Sequence, residues 1–437
     1  MSRSKFIKGT LILTITGFII RLLGFIYKIF LSRTIGATAL GTFQLVLPVM
    51  AVCHAISVSG IEVTLSKTTS FYKADKKINK VIPNAVRCLS LSLLLGIGCG
   101  LILNIFAVPL SVYFLNNSDC ISLIRIFSLS IPLSCVHSMF YSYYIGTENA
   151  VFPSVSQLLE QLVRFASVYI FSLFTKGAML AVLSTLAGEG FSVILCLLLY
   201  FKKKHKFTGV LRTNICKGYA GIIKQAFPIT INRLVLSAVQ SLETAFIPMM
   251  LTLYGMSRDS GLATLGIITG MALPLVLFPS TMVNSIALML LPAVSKAHNS
   301  VSSLKKYGKR ALVFSLVLGI TCIIFFQTAG GYIATLLFRV ENIGKITRIL
   351  SLLCPFVFIN TTFKSILNAM DKSYNILINN MFCEVICLFF IVFFIPLYGS
   401  MAYITGIIIS QAVNSALCLL AFGKCIRQYQ EARPHVQ

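Results

Sequence analysis

About twelve apolar segments recur along the chain, each long enough to cross a lipid bilayer as an α-helix. A transmembrane helix needs about 20 mainly apolar residues, and such runs are typical of membrane spans. Of the 437 residues, 57% are hydrophobic and only 11% are charged. We therefore predict an all-α polytopic membrane protein, with spans near residues 8–32, 41–65, 85–109, 121–145, 154–175, 178–201, 224–251, 261–291, 309–330, 346–369, 374–396 and 400–423.

The first apolar segment is longer than a signal-peptide core and is not followed by a small-residue cleavage site, so we expect it to be retained. The net charge of +25 lies mainly in alternate loops: the N-terminus, the loops after spans 2, 6 and 8, and the C-terminal tail. This is the positive-inside pattern, and it predicts that both termini are cytoplasmic. Nucleic-acid binding is disfavoured because no basic and aromatic recognition pattern accompanies the charge.

The two halves of the sequence share a pattern of polar residues. Ser66 and Ser295 begin similar basic loops and are 229 positions apart (295 − 66 = 229), while Glu160 and Glu384 are 224 apart (384 − 160 = 224). The alternative to an internal repeat is that the two basic loops are similar by chance. We favour two six-span lobes of the same orientation, whose binding site lies at their interface. The predicted regions are an N-terminal lobe 1–201, a basic linker 202–223, a C-terminal lobe 224–424 and a tail 425–437.

Two cations lie inside the first span, on the same helix face as two glycines. Gly17, Arg21, Gly24 and Lys28 are spaced i, i+4, i+7 and i+11, so they point in one direction. A cation near the middle of a bilayer costs about 2.5–3.5 kcal/mol on the lenient insertion scale, and such residues usually face a bundle interior or an aqueous cavity. We therefore expect this face to line a cavity that receives an anion.

Polar residues also form stripes at helical spacing in other spans. They occur in span 5 (Gln157, Glu160, Gln161, Arg164), span 7 (Arg233, Ser237, Gln240, Glu243, Thr244), span 10 (Asn360, Lys364, Asn368) and span 12 (Gln411, Asn414, Ser415). A single stripe is more often hydrogen bonding between helices, and Glu160 with Arg164 at i, i+4 can be a structural pair. Several stripes together favour a hydrated cavity.

We predict two sets of functional residues in this cavity. The substrate-binding set is chosen because cations, arginine above all, bind the oxygens of a diphosphate: Arg21, Lys28, Arg164, Arg233, Gln240 and Lys364. The acids within spans are candidates for ion or proton coupling: Glu160, Glu243 and Glu384. Glu62 and Glu189 are interpreted as lying close to cytoplasmic ends of their spans.

Signatures of enzymes and cofactor sites are missing from the sequence. The five histidines form no H-E-x-x-H or similar metal motif, and no Walker A loop occurs. Most of the thirteen cysteines lie within apolar spans without ligand spacing, so neither zinc nor structural disulfides are predicted. We expect no catalytic residue, no cofactor and no metal, with Na⁺, H⁺ or the membrane potential as the energy source.

Four runs carry a resemblance to known transporters. Residues 21–36, R-L-L-G-F-I-Y-K-I-F-L-S-R-T-I-G, resemble the first-helix signature of the multidrug/oligosaccharidyl-lipid/polysaccharide exporter superfamily. Within this superfamily, the chain is similar to the stage V sporulation protein B family. That similarity lies in residues 59–67 (S-G-I-E-V-T-L-S-K), 154–164 (S-V-S-Q-L-L-E-Q-L-V-R) and 266–275 (G-I-I-T-G-M-A-L-P-L). The resemblance extends to about residue 415.

This resemblance implies a two-lobed, MATE-like fold with a central cavity, a place in the bacterial cytoplasmic membrane, and a role in peptidoglycan synthesis for the spore cortex. The family is related to the lipid II flippases, whose pattern R-x-x-G-x-x-x-x-x-x-x-x-R-x-x-G is matched by Arg21, Gly24, Arg33 and Gly36. A further arginine–aspartate pair of those flippases falls on Tyr27 and Lys28 here. Their fourteen spans include a pair that shapes a groove for the lipid tail, and this pair is missing among the twelve predicted spans.

Together, the residues and the resemblance predict a flippase that moves a lipid-linked saccharide diphosphate, most naturally a peptidoglycan precursor, by alternating access. Expected partners are membrane lipids and a cell-wall synthase. Two alternatives stay open: a cation-coupled multidrug exporter of the same superfamily, and a non-catalytic membrane component of a polysaccharide synthesis complex. A membrane-embedded glycosyltransferase is disfavoured because the outer loops are too short to carry a catalytic site.

Overall fold

A computed structural model describes residues 3–149, 151–202, 219–297 and 300–431. Throughout these ranges the chain is helical and contains no β-strand. The fold is therefore all-α, as the apolar segments predict. Residues 203–218, most of the predicted linker, lie outside the described ranges.

By its internal contacts the chain divides into two units, Met1–Ala245 and Phe246–Gln437. The first part of the seventh predicted span packs within the first unit, whereas the sequence repeat assigns that span to the second lobe. The lobe boundaries drawn from the repeat stay a prediction. The first unit contains α1 (Arg3–His54), α2 (Gly60–Ala74), α3 (Ile78–Ile105), α4 (Ala107–Pro109), α5 (Cys120–Phe127), α6 (Ser130–Gly146), α7 (Val151–Phe171), α8 (Ala178–Lys202) and most of α9 (Tyr219–Leu253).

The described part of the second unit consists of five longer helices and shorter pieces, several of which are joined by π-helical turns. Its core forms where α12, α13, α16 and α19 meet, around Leu304, Phe363 and Cys418. Its helices are α10 (Arg258–Leu265), α11 (Leu273–Val276), α12 (Ser280–Ala297), α13 (Val301–Phe325), α14 (Gly331–Phe338), α15 (Ile343–Leu350), α16 (Cys354–Ala369), α17 (Ser373–Phe389), α18 (Ile395–Tyr398) and α19 (Ser400–Glu431).

Ten helices of the described chain are long and apolar enough to cross a membrane. One of them, Thr16–Ala74, contains two spans because the backbone breaks at Gly36. Helix α7 is not among the ten, since Glu160 and Arg164 interrupt its apolar surface, but its 21 residues extend about 31 Å at 1.5 Å per residue. Counting both gives the twelve predicted spans. The protein is thus a multi-pass membrane protein.

Gly36 makes the kink between the first two spans. Its backbone has φ 80° and ψ 174°, a combination that is essentially restricted to glycine because a Cβ atom would crowd the neighbouring carbonyl groups. The residue therefore fixes where the first helical segment ends and the second begins. Arg21 and Lys28 precede this turn, and Leu40 and Val46, both buried, follow it.

Gly60 allows α9 to approach α2 closely within the first unit. A Cβ atom at this position would overlap the Ala226 carbonyl oxygen and the Thr230 hydroxyl of α9. At the start of α9, the Tyr219 hydroxyl is hydrogen bonded to Ser90 of α3 at 2.9 Å. The first half of α9 is therefore held against α2 and α3, which brings its polar stripe into the first unit.

Replacing Gly36 with alanine should destabilise the protein. The strained backbone that glycine adopts freely would cost a side-chain-bearing residue about 1–3 kcal/mol, so we expect a lower thermal unfolding temperature in detergent. The matched control is Gly98→Ala in α3, where no heavy atom lies within 4 Å of the added Cβ and the backbone is helical. That change should leave the unfolding temperature equal or slightly higher. Equal unfolding temperatures for the two variants would show that the Gly36 turn carries no strain.

Candidate functional site

The cationic face of α1 is uncovered by the rest of the described chain. Arg21 and Lys28 are both exposed, and no heavy atom lies within 4 Å of the space beside Gly17 or Gly24. The two cations are separated by seven residues, about 10 Å along a helix. The face therefore offers two positive charges with open space between them, wide enough for a group larger than a single phosphate.

Neighbouring positions of α1 fix the direction in which this face points. The Tyr27 hydroxyl is hydrogen bonded to Ser184 Oγ of α8 at 2.8 Å, and Thr16 Oγ1 donates to Ser154 Oγ of α7 at 2.8 Å. Phe30 packs against Phe165 of α7, with ring centroids 5.0 Å apart. Because α7 and α8 hold this side of α1, the glycine and cation face is turned away from them.

A network of four ionisable side chains lies in the first unit, where α6, α7 and α8 meet. Arg164 Nη2 lies 2.7 Å from Glu160 Oε1 and 3.9 Å from Glu189 Oε1. His137 Nδ1 lies 3.4 Å from Glu160 Oε2 and 3.8 Å from Glu189 Oε2. The side chains of His137 and Glu160 are at most 10% exposed. Charges are thus concentrated in a region that excludes most water.

Hydroxyl groups and a glycine complete the surroundings of this network. Ser192 Oγ donates to Glu160 Oε2 at 3.2 Å, and Ser156 Oγ is hydrogen bonded to His137 Nε2 at 3.4 Å. At Gly188 a Cβ atom would meet Arg164 Nε at 3.3 Å, so the small residue leaves room for the guanidinium between α7 and α8. Glu189 Oε2 is buried and accepts no hydrogen bond within the described chain.

Two interpretations from the sequence change here. Glu189 lies near the middle of α8 rather than at a cytoplasmic end, so that prediction was wrong. His137 was missed, because it lies on α6 whereas its neighbours lie on α7 and α8, and no sequence spacing joins residues of three different helices. The signal that sequence did contain was the Glu160 and Arg164 pair at i, i+4, which the structure forms.

The same atoms bear on cation binding. One donor atom from each of His137, Glu160 and Glu189 lies within 4.8 Å of the others, a spacing that a small cation can bridge. Arg164 already neutralises one of the two carboxylates. With neutral histidine the four groups carry one net negative charge, which a single added positive charge would balance. The network therefore suits a monovalent charge, such as a proton, better than a divalent metal.

The stripe on α9 is partly open and partly buried. Arg233 is exposed and lies within electrostatic range of Glu62 in α2 and of His54. Gln240 is exposed, whereas Glu243, one turn further along, is buried. The amino-terminal part of the stripe thus offers a cation and an amide, and the acid lies in the interior.

In the second unit, the polar residues of spans 10, 11 and 12 come together on α16, α17 and α19. Asn360 Nδ2 donates to Gln411 Oε1 at 2.8 Å, and Asn414 Nδ2 donates to Asn380 Oδ1 at 3.3 Å. Lys364, half-buried on α16, lies within electrostatic range of Glu384 on α17. The stripes that sequence placed on separate helices therefore form one polar region in this unit.

Each unit thus gathers charged and amide side chains from its fourth, fifth and sixth spans. In the first unit these are Glu160 and Arg164 with His137 and Glu189; in the second they are Lys364 and Glu384 with the amides. Glu160 and Glu384, paired by the sequence repeat, lie on the fifth span of their respective halves. The roles of all predicted site residues in binding and coupling stay predictions.

Comparison with known proteins gives a consistent family and fold. Residues 6–298, about two thirds of the chain, match the family described as polysaccharide biosynthesis protein. Stage V sporulation protein B of Bacillus subtilis is 24% identical over 306 residues, which are 68% of this chain and 59% of the relative. The matched part therefore spans less than two thirds of the length of that relative.

Solved structures resemble the chain over nearly its whole length. A multidrug resistance MATE family transporter of the MOP superfamily, in an inward-facing conformation, superposes with a TM-score of 0.75 at 15% identity, covering 95% of this chain and 99% of the other. Lipid II flippase MurJ, in an inward closed conformation, gives a TM-score of 0.73 at 13% identity, covering 94% and 87%. The chain therefore belongs to the polysaccharide biosynthesis protein family and has the all-helical fold of the MOP superfamily transporters.

Proposed function

We propose that the protein is a flippase or exporter that moves a lipid-linked saccharide diphosphate across the bacterial cytoplasmic membrane by alternating access. The observation that carries this proposal is the exposed face of α1, where Arg21 and Lys28 flank open space beside Gly24. Cations inside a membrane span are expensive unless they meet water or an anion. An anionic substrate gives this face a purpose that lipid tails cannot.

The chemistry of a diphosphate fits the two cations. A guanidinium donates paired hydrogen bonds to anionic oxygens, and an ammonium acts as a compact point charge. Arg21 would hold one phosphate and Lys28 the other, with the glycines leaving room for the headgroup. The relatives support the class of substrate: one similar structure is a lipid II flippase, and one curated relative is a sporulation protein.

The other predicted cations contribute unequally to this proposal. Arg233 and Gln240 are exposed on α9 and suit contact with phosphate or sugar, and Lys364 is half-buried in the second unit. Arg164 is already bound by Glu160, and its removal would leave that carboxylate buried without its cation. We therefore assign Arg164 to the ion network rather than to the substrate.

The network around Glu160 is our candidate for energy coupling. Intramembrane acids and histidines commonly form proton relays in transporters. Here the charged groups that face His137 are Glu160, Glu189 and Arg164, and one added positive charge balances them. Glu243 and Glu384 are secondary candidates for coupling. The membrane potential can also act on the charged substrate, at about 2.3 kcal/mol per elementary charge per 100 mV.

Three finer parts of the proposal rest on sequence patterns and on the names of relatives. The substrate is a peptidoglycan precursor for the spore cortex, the two termini are cytoplasmic, and a cell-wall synthase acts on the delivered lipid. The protein itself catalyses no bond change in this scheme. A multidrug exporter would instead need a mainly acidic and aromatic binding face, and the α1 face carries cations.

Removing either α1 cation should slow transport strongly. We expect Arg21→Gln to slow flipping about 10- to 100-fold, because a hydrogen bond to a charged group contributes about 1.5–3 kcal/mol. Lys28→Gln should have a similar but smaller effect. The measurement uses fluorescent lipid II in proteoliposomes and follows the fraction of its fluorescence that is protected from a reductant added outside. The matched control is Lys176→Gln, an exposed cation in the loop between α7 and α8.

Normal flipping by the Arg21 and Lys28 double variant would remove this face from the mechanism. Equal losses in the Lys176 control would instead indicate a general effect of surface charge. Failure of the wild-type protein to move lipid II or a teichoic-type precursor, at any imposed potential or ion gradient, would overturn the proposed substrate class.

Neutralising the ion network should change how transport is driven. In Glu160→Gln and His137→Gln we expect flipping to lose its dependence on an imposed pH gradient, with the potential clamped, while lipid II binding stays within about twofold. The control is Glu148→Gln, an exposed acid that pairs with Lys73. Transport that follows the pH gradient normally in both network variants would assign the network a structural role only.

A further inference from the structure

We propose that the outer face of α13 binds an anionic phospholipid, with the headgroup phosphates on three cations and an acyl chain along the helix. The residues are Lys306, Lys309 and Arg310, followed by Val313, Phe314 and Val317. They border an open surface groove of about 460 Å³ along α13. The site lies within the second unit and does not depend on the transported substrate.

Helical geometry separates this face from the packed face of α13. Leu304, Gly308, Ala311, Ser315, Gly319 and Cys322 are buried and recur at intervals of three and four residues. At Gly308 a Cβ atom would meet the Phe422 ring of α19 at 2.5 Å, and at Gly319 it would meet Pro355 at 2.5 Å. With 100° per residue, Lys306, Lys309 and Val313 point to the opposite side. The cationic face is therefore turned away from the core of the second unit.

Among the described residues, the positive charge of this site has no acidic partner. The first half of α13, residues 301–314, contains four cations and no acid, and no described residue forms an ion pair with Lys306, Lys309 or Arg310. The corresponding loop of the first unit differs. There, Lys77 lies 2.9 Å from Asp75 and Lys73 lies 3.2 Å from Glu148. Three clustered, unpaired cations on α13 thus complement a headgroup with one or two phosphates.

An apolar stripe continues from the cations along the same face. Val313, Val317, Ile320 and Ile324 are each at least 50% exposed and recur at intervals of three and four. Cations at one end of a span followed by exposed aliphatic residues match the order of groups in a phospholipid, from headgroup to chain. Cytoplasmic leaflets are rich in anionic lipids, and the charge distribution predicts this end of α13 to be cytoplasmic.

The lining favours a phospholipid over the transported lipid. A lipid-linked saccharide needs hydroxyl or amide partners for its sugars, as Asn, Gln or Ser side chains provide. The six lining residues are three cations and three apolar side chains, with none of those partners. The site therefore suits phosphate and hydrocarbon, and its lining residues include no hydroxyl or amide side chain that would bind a sugar.

The test compares two triple variants that remove equal charge from loops on the same predicted side. Lys306→Gln, Lys309→Gln and Arg310→Gln change the proposed site, and Lys76→Gln, Lys77→Gln and Lys80→Gln change the matching loop of the first unit. Each protein is placed in nanodiscs of phosphatidylcholine with a small fraction of phosphatidylglycerol or cardiolipin. Native mass spectrometry after release then counts the anionic lipids that remain bound.

We expect the wild-type protein and the first-loop variant to retain one tightly bound anionic lipid. The α13 variant should bind it about 100- to 1,000-fold more weakly, since each of the three cations near a membrane surface contributes roughly a factor of five to ten. A Lys306→Arg and Lys309→Arg variant, which keeps the charge, should retain the lipid and shows that the changed helix folds. Equal loss of the bound lipid in both triple variants would show that binding depends only on net charge, and would overturn a specific site on α13. Retention by the α13 triple variant, or recovery of a polyprenyl diphosphate from the site, would overturn the proposal.

Discussion

The cost of placing a charge inside a lipid bilayer is the constraint on which this structure depends. A charged group inside the membrane must contact a counter-charge, water or a ligand, and these three cases differ in how the group is placed in the fold. Glu160 and Arg164 neutralise each other at 2.7 Å in the interior of the first unit. Arg21 and Lys28 remain exposed on α1, and the proposed function gives them an anionic substrate as their counter-charge. Lys306, Lys309 and Arg310 lie at a span end, where headgroups are within reach.

Small residues set the distances at which these charges meet. Gly188 makes room for the Arg164 guanidinium between α7 and α8, and Gly60 lets α9 lie directly against α2. Gly36 ends the cationic helix by a backbone conformation that other residues avoid. The ionic side chains thus provide the charged groups, while the glycines allow the helices that carry them to approach closely or to turn. Both kinds of residue are therefore needed at defined positions.

Sequence reasoning predicted the all-helical, multi-pass fold because the length of each apolar segment can be read from that segment alone. It also predicted the pairing of Glu160 with Arg164, since both residues lie one helical turn apart on α7. It missed His137 and misplaced Glu189, because their proximity depends on how α6 and α8 pack against α7, and packing is not encoded in the spacing of one helix. The meeting of Asn360 with Gln411 has the same origin: each stripe was visible, but its partner was not.

The hydrogen bond between Tyr27 and Ser184 ties two parts of the first unit into one body. Tyr27 lies next to Lys28 on α1, and Ser184 lies on α8, the helix that contributes Glu189 to the ion network. Turning α1 about its axis, so that its cations faced another direction, would break this bond and pull on α8. The orientation of the cationic face and the position of the helix that carries Glu189 are therefore tied to each other by a direct contact between α1 and α8.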